Sequence, residues 1–159
     1  RAGPGDDRVT GGALAETVHG NDGDDVLAGN GGDDTLLGGA GADLLMGGGG
    51  RDVLIGGAGA DVLNGGGGAD LFVLMDGDGD HMSGFHVEQG DRVLIAIGPL
   101  LLADGSVDGA RLRTKDSGGG AFRLYADLAD DGRFTKILTI AGGAGLALEA
   151  VLTNDILLA

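Results

Sequence analysis

A nine-residue register governs what this chain can fold into. From Ala2 to Val73 the sequence divides, without insertion, into eight units: AGPGDDRVT, GGALAETVH, GNDGDDVLA, GNGGDDTLL, GGAGADLLM, GGGGRDVLI, GGAGADVLN and GGGGADLFV. The shared pattern is G-G-x-G-x-D-x-U-x, with U a large apolar residue. Position 8 is apolar in all eight units: Val9, Val18, Leu27, Leu36, Leu45, Leu54, Leu63 and Phe72. Position 6 is Asp in seven, with Glu16 the exception, and position 4 is Gly in seven, with Leu14 the exception. Both departures fall in unit 11–19, which reads as a degenerate turn. Strict repetition at a short period is the signature of a solenoid. An acidic, glycine-rich linker would not keep an apolar residue in register for eight periods.

The pattern converts into a shape. The chain has 37 glycines in 159 residues, where average usage gives roughly 11. The segment x-U-x is long enough for a minimal strand, and the other six positions are turn material. Side chains alternate faces along a strand, so one inward residue per unit stacks on the next to make a narrow Leu/Val core. Two units form one coil with a strand on each side. Eight units therefore predict an all-β parallel β-roll of about four coils, roughly 20 Å long at about 4.8 Å per strand.

Stacked coils also stack the position-6 acids. Residues 2–73 hold 12 acidic residues against two basic ones, Arg8 and Arg51. Stacked carboxylates in partly dehydrated turns repel, so the compact state requires a counter-ion. Ca²⁺ suits the site: it takes six to eight oxygens and accepts backbone carbonyls beside carboxylates, which glycine-rich turns expose. Zn²⁺ prefers His and Cys, but the three histidines are scattered and there is no cysteine. Mg²⁺ dehydrates reluctantly and suits all-protein cages poorly. The formal net charge of −15 disfavours nucleic acid and anionic membrane surfaces as partners. No apolar run approaches the roughly 18 residues of a membrane span. Arg1 stands in mid-pattern, which reads as a piece of a longer protein.

The units resemble the RTX (repeat-in-toxin, hemolysin-type) nonapeptides of type I-secreted bacterial toxins, proteases, lipases, epimerases and adhesins; GGAGADVLN at 56–64 is close to that consensus. The resemblance implies a β-roll with Ca²⁺ between same-edge turns. Its Asp ligands carry over onto Asp7, Asp25, Asp34, Asp43, Asp52, Asp61 and Asp70. The carbonyl ligands carry over onto Gly20, Asp22, Gly29, Gly31, Gly38, Ala40, Gly47, Gly49, Gly56 and Ala58. Three same-edge pairs on each edge give up to six sites, and four to six ions are expected. Glu16 and Leu14 depart from the pattern, which weakens sites near unit 11–19.

After Phe72 the register breaks, and residues 74–159 are expected to form a β-rich capping and secretion region packed on the roll. Asp76-Gly-Asp78-Gly-Asp80 starts like an EF-hand loop, but His81 stands where the glycine is required and Val87 where the bidentate Glu is required. The loop, Asp80 in particular, stays as a candidate extra calcium site. Residues 92–97, 121–126 and 134–141 read as strands, 130–132 as a turn and 145–152 as a short helix. The tail 154–159 reads as a last strand and also resembles the uncleaved end of type I secretion substrates.

No catalytic constellation is present. Ser83 lies in HMSGF rather than G-x-S-x-G, and His81 and His86 do not make H-E-x-x-H. The expectation is a non-catalytic calcium-binding module, secreted or at the cell surface, that folds on Ca²⁺ after passing the type I secretion machinery. The alternatives are calcium-dependent adhesion or surface-layer assembly, and a polysaccharide-binding accessory module of a secreted enzyme. One outer face, Thr35/Leu37, Val53/Ile55 and Leu71/Val73, grows apolar toward its C-terminal end. An exposed apolar sheet is a liability, so residues 92–159, an upstream domain or a second copy are expected to cover it.

Overall fold

The computed structural model describes residues 1–76, 78–95, 112–116, 121–126, 133 and 135–141. Eight strands follow the eight units: β1 (Arg8–Thr10), β2 (Thr17–Asp22), β3 (Val26–Gly31), β4 (Thr35–Ala40), β5 (Leu44–Gly49), β6 (Val53–Ala58), β7 (Val62–Gly67) and β8 (Leu71–Leu74). They alternate between two sheets, and each pairs in parallel with the strand two units on. Leu27 lies beside Leu45 and Leu45 beside Leu63 in one sheet; Leu36 lies beside Leu54 and Leu54 beside Phe72 in the other. The chain is a parallel β-roll, all-β as its register requires.

The strands are longer than x-U-x. Most run six residues, from position 7 of one unit through position 3 of the next. Positions 2 and 3 keep pairing across coils, while position 1 drops out: Ala28 pairs Met46 and Asn30 pairs Gly48, with Gly29 between them unpaired in the ladder. Position 2 then demands a left-handed backbone. Gly39 has φ 125°, and a Cβ there would run into the Asn21 carbonyl of the coil before.

The roll also continues past the nonapeptides. β9 (Asp80–Ser83) pairs in parallel with β7, and β10 (Arg92–Ile95) with β8, adding a fifth coil. Asp80-His81-Met82 and Asp91-Arg92-Val93 keep the D-x-U core of the repeat while the turns before them change length. On the β9 side, β13 (Thr135–Ala141) joins in parallel. β12 (Ala121–Ala126) and β11 (Leu112–Asp116) then pair on antiparallel. Strand β11 has no counterpart among the strands expected from sequence. The turn at 130–132, the helix at 145–152 and the tail at 154–159 lie outside the described residues.

The core is two files of position-8 side chains. Leu27, Leu36, Leu45, Leu54, Leu63, Phe72 and Met82 are all fully buried. Phe85 meets Phe72 edge to face, with ring centroids 5.8 Å apart, a favoured aromatic geometry. In the degenerate unit, Leu14 stands in the turn and is 76% exposed. On the outer face Val53, Ile55 and Leu71 are half-buried and Val73 is buried. β10 flanks that face by edge pairing, setting Arg92 beside Leu71 and Leu94 beside Val73.

Leu45→Ala should therefore cost about 2–5 kcal/mol, the range for emptying a packed leucine site. Leu14→Ala should stay within about 0.5 kcal/mol. Urea denaturation of both variants in millimolar calcium checks the contrast.

Candidate calcium site

Each position-6 residue sits where a glycine turn enters a strand, and its side chain turns into the roll. Asp25, Asp34, Asp43, Asp52, Asp61, Asp70 and Asp80 are each at most 2% exposed. One carboxylate oxygen of each is tied. Asp25 Oδ1 accepts the Asp7 amide, Asp43 Oδ1 that of Asp25, Asp61 Oδ1 that of Asp43 and Asp80 Oδ1 that of Asp61, at 2.8–3.0 Å. The opposite edge repeats this from Glu16 through Asp34, Asp52 and Asp70 to Asp91. Two carboxylate ladders thus run the length of the roll, each rung tying one coil to the next.

The second oxygens are different. Oδ2 of Asp25, Asp34, Asp43, Asp52, Asp61 and Asp70 is buried with no hydrogen-bond partner. Each lies over the position-1 glycine of its own turn, where no side chain intervenes. A Cβ on Gly38 would overlap both Asp43 Oδ2 and the Gly56 carbonyl oxygen of the following coil. The same pair of oxygens converges at Gly20 (Asp25 Oδ2, Gly38 carbonyl), Gly29 (Asp34 Oδ2, Gly47 carbonyl) and Gly47 (Asp52 Oδ2, Gly65 carbonyl). Leaving a buried charged acceptor unsatisfied is costly. Two acceptors aimed at one dry space fit a cation. Among the described residues no three His, Cys, Asp or Glu side chains gather as a metal group, so backbone oxygens must fill the shell. That donor set suits Ca²⁺.

The other residues read from the sequence divide by environment. The position-3 carbonyls of Asp22, Ala40, Gly49 and Ala58 each accept an amide from the preceding coil, at 2.6–3.0 Å. Gly31 pairs with Gly49 in the sheet. Asp7 is half-buried, and its Oδ2 accepts the Gly3 amide at 2.9 Å. Glu16 Oε2 accepts the Gly12 amide at 3.2 Å. The first coil is further closed by Asn21 and Asn30, whose side-chain amides donate to the Ala2 and Gly11 carbonyls at 2.9 and 2.8 Å. The partnerless oxygens thus begin at Asp25. Asp91 is a ladder member that lies outside the nonapeptide register and so escapes a reading by period. Its Oδ2 accepts the His86 amide at 2.7 Å, so the ladder ends on a satisfied carboxylate. The D-x-U trace in Asp91-Arg92-Val93 is the signal that could find it. In the acidic loop, Asp76 Oδ2 accepts the Gly59 amide at 3.1 Å.

A profile of the RTX calcium-binding nonapeptide repeat (four copies) matches residues 10–45, 37–72 and 46–80. Residues 10–80 are an RTX repeat array. No curated protein matches the chain. Among solved structures, the chain is similar to two subunits from the Azotobacter vinelandii mannuronan C5-epimerase. The AlgE6R2 subunit aligns at 24% identity with a TM-score of 0.50, covering 94% of this chain and 92% of that one. The AlgE6R3 subunit aligns at 25% identity with a TM-score of 0.47, covering 98% and 83%. The likeness to the R2 subunit is one of fold. RTX repeats bind calcium.

The same burial sets a pH signature. Burial raises the Asp43 and Asp52 carboxyls, with the tied amide opposing and neighbouring Asp adding to the shift. It takes Asp61 and Asp70 to about 6 and Asp80 to about 7. For a carboxyl raised in the folded state, the stabilisation is full below the unfolded value near 3.8 and is lost as pH rises through the folded one. The metal-free chain should therefore gain β-structure on acidification from about pH 7 to about pH 4. Circular dichroism in EDTA across that range checks the sign.

Proposed function

We propose that the array is a non-catalytic module whose folding is switched on by calcium outside the cell, after export through a type I secretion channel. The observation that carries this reading is the set of six buried carboxylate oxygens without a donor. Asp25, Asp34, Asp43 and Asp52, with the carbonyls of Gly38, Gly47, Gly56 and Gly65, make four complete pairs. Asp61 and Asp70 offer a carboxylate at the end of the register, which gives four to six ions in all. Asp7 contributes only if Gly3 releases its second oxygen.

When bound, calcium supplies the positive charge that the converging oxygens lack. The chain does the rest. Its ladders align the carboxylates, its position-1 glycines clear the space, and its Leu file becomes buried only once the coils stack. Without the ion, the same carboxylates oppose stacking and hold the segment extended, a form suited to threading a channel. A site absent from the unfolded chain turns binding free energy into folding free energy. Extracellular calcium modules work at about 10⁻⁴–10⁻³ M, so the transition is placed in that range.

Circular dichroism at pH 8 tests the switch: little β-signal in EDTA and full signal in millimolar Ca²⁺. A chain equally β-rich in both would refute it. Asp43→Asn should raise the calcium midpoint about tenfold and remove one ion by equilibrium dialysis, whereas Asp33→Asn, on an exposed turn, should leave the ion count unchanged.

A further inference from the structure

Seven of the eight nonapeptide units tie the amide of their fourth residue to the coil that follows. Gly5, Gly23, Gly32, Gly41 and Gly50 donate to the carbonyls of Asp22, Ala40, Gly49, Ala58 and Gly67 at 2.6–3.0 Å. Where the register ends, side chains take over: Gly59 donates to Asp76 Oδ2 at 3.1 Å and Gly68 to Gln89 Oε1 at 2.9 Å. Leu14 is the exception, and among the described residues its amide has no partner in the following coil. A second tie is missing one residue on. Asp6, Asp24 and Asp33 each accept the fifth-position amide of the following coil, from Asp24, Ala42 and Arg51, at 2.8–2.9 Å. Ala15 has no carboxylate to offer Asp33.

This turn is therefore held only at its shoulders. Gly11 donates to the Ala28 carbonyl at 2.7 Å, the Gly12 carbonyl accepts the Gly31 amide at 3.2 Å, and Glu16 donates to Asp34 Oδ1 at 2.8 Å. Residues Gly12, Ala13, Leu14 and Ala15 are all exposed. The other exposed large apolar residues among those described are Val62, inside β7, and Met75, directly after the fully buried Leu74. The turn at 3–6 is as exposed, but Gly5 ties it and it carries no large apolar side chain. Ahead of turn 12–15 lies β1, three residues long and paired with β3 on one side. Short edge elements open locally at low cost, and exposed tips of small residues are preferred sites of nicking. No calcium pair locks this turn, because Glu16 Oε2 takes the Gly12 amide and the partnerless oxygens begin at Asp25.

We infer that the Ala13–Leu14 bond is an endoproteolytic processing site in the folded array, for an extracellular endopeptidase that takes a large aliphatic residue on the amine side of the cut. Water adds across the bond, leaving a carboxylate on Ala13 and an ammonium on Leu14. The side chain such an enzyme needs already stands in solvent. Among the described residues, 13–15 give up no inter-coil hydrogen bond on entering its cleft. Every later turn of the register carries the fourth-position tie and a buried carboxylate for calcium to hold, so those turns resist. The cut detaches residues 1–13, which include Asp7 but none of the six partnerless oxygens, and leaves the array from Asp25 whole. The inference rests on the calcium reading only for the locking of the later turns.

The test is digestion of the whole chain, in millimolar Ca²⁺, with thermolysin at low ratio, read by intact mass and N-terminal sequencing. A product beginning at Leu14 should form before any cut within residues 16–95. Leu14→Ala should slow its formation about tenfold, with the circular dichroism unchanged. Ala15→Asp keeps Leu14 and restores the tie to the Asp33 amide. It should slow the cut about fivefold, once each rate is divided by that of a synthetic peptide of residues 8–20 with the same sequence. The trimmed chain should bind as many calcium ions as its parent by equilibrium dialysis. Circular dichroism of the same samples, in EDTA and in Ca²⁺, reports the folding switch separately, and a chain folded in both still tests the cut. No Leu14 terminus from the folded chain, an earlier cut at Met75 or elsewhere in 16–95, either variant cut at the parent rate, or loss of an ion on trimming would each overturn the assignment.

Discussion

The roll depends on a carboxylate that is half satisfied. At position 6 one oxygen accepts the amide of the coil before, while the other is held in a dry turn opposite a carbonyl. The first contact fixes coil on coil at one residue in nine. The second leaves a buried charged acceptor that no protein donor satisfies, a cost that grows with each coil added. Geometry and the demand for a cation therefore come from the same side chain. That is why the apolar file, only one residue wide, need not carry the fold alone.

The ends of the ladder show the same logic in reverse. Asp7 and Glu16 at the start, and Asp91 at the finish, take a local amide on the second oxygen. The first coil adds the Asn21 and Asn30 amides to carbonyls that later units leave facing a glycine. Both asparagines hold a left-handed backbone, at φ 92° and 76°, which Asn tolerates better than most residues. The array thus passes from turns that supply their own donors to turns that do not, and back. Hydrogen bonding marks the boundary at Asp25, although the acidic pattern begins nine residues before Glu16.

Much of this was legible in the sequence because the repeat couples local and global order. Once Leu27, Leu45 and Leu63 are known to recur every eighteen residues, inward facing, parallel pairing and two-sheet alternation come from strand geometry. Legibility failed where spacing gave way to shape. The fifth coil keeps Asp-x-U at Asp80 and Asp91 but changes its turn lengths, so a fixed period could not register it. The six-residue strands were hidden because glycine has little intrinsic strand preference, and only stacking keeps positions 2 and 3 paired between coils. Among the oxygens, all position-3 carbonyls looked equivalent in sequence. It took the inter-coil amide bonds at Asp22, Ala40, Gly49 and Ala58 to separate them from those of position 1.

The eighteen-residue pairing has a consequence for how such a chain can change length. Residues nine apart lie in opposite sheets, and residues eighteen apart lie side by side in the same one. Gaining or losing a single unit would keep every glycine and aspartate in phase yet exchange the two faces for everything downstream. A single unit gained or lost between Val53 and Leu71 would split the row of Val53, Leu71 and Arg92 across opposite sides. Gaining or losing a pair of units leaves each face in place and only moves it along the axis. Parity, and not merely period, is what an array of this kind must conserve as it grows or shrinks.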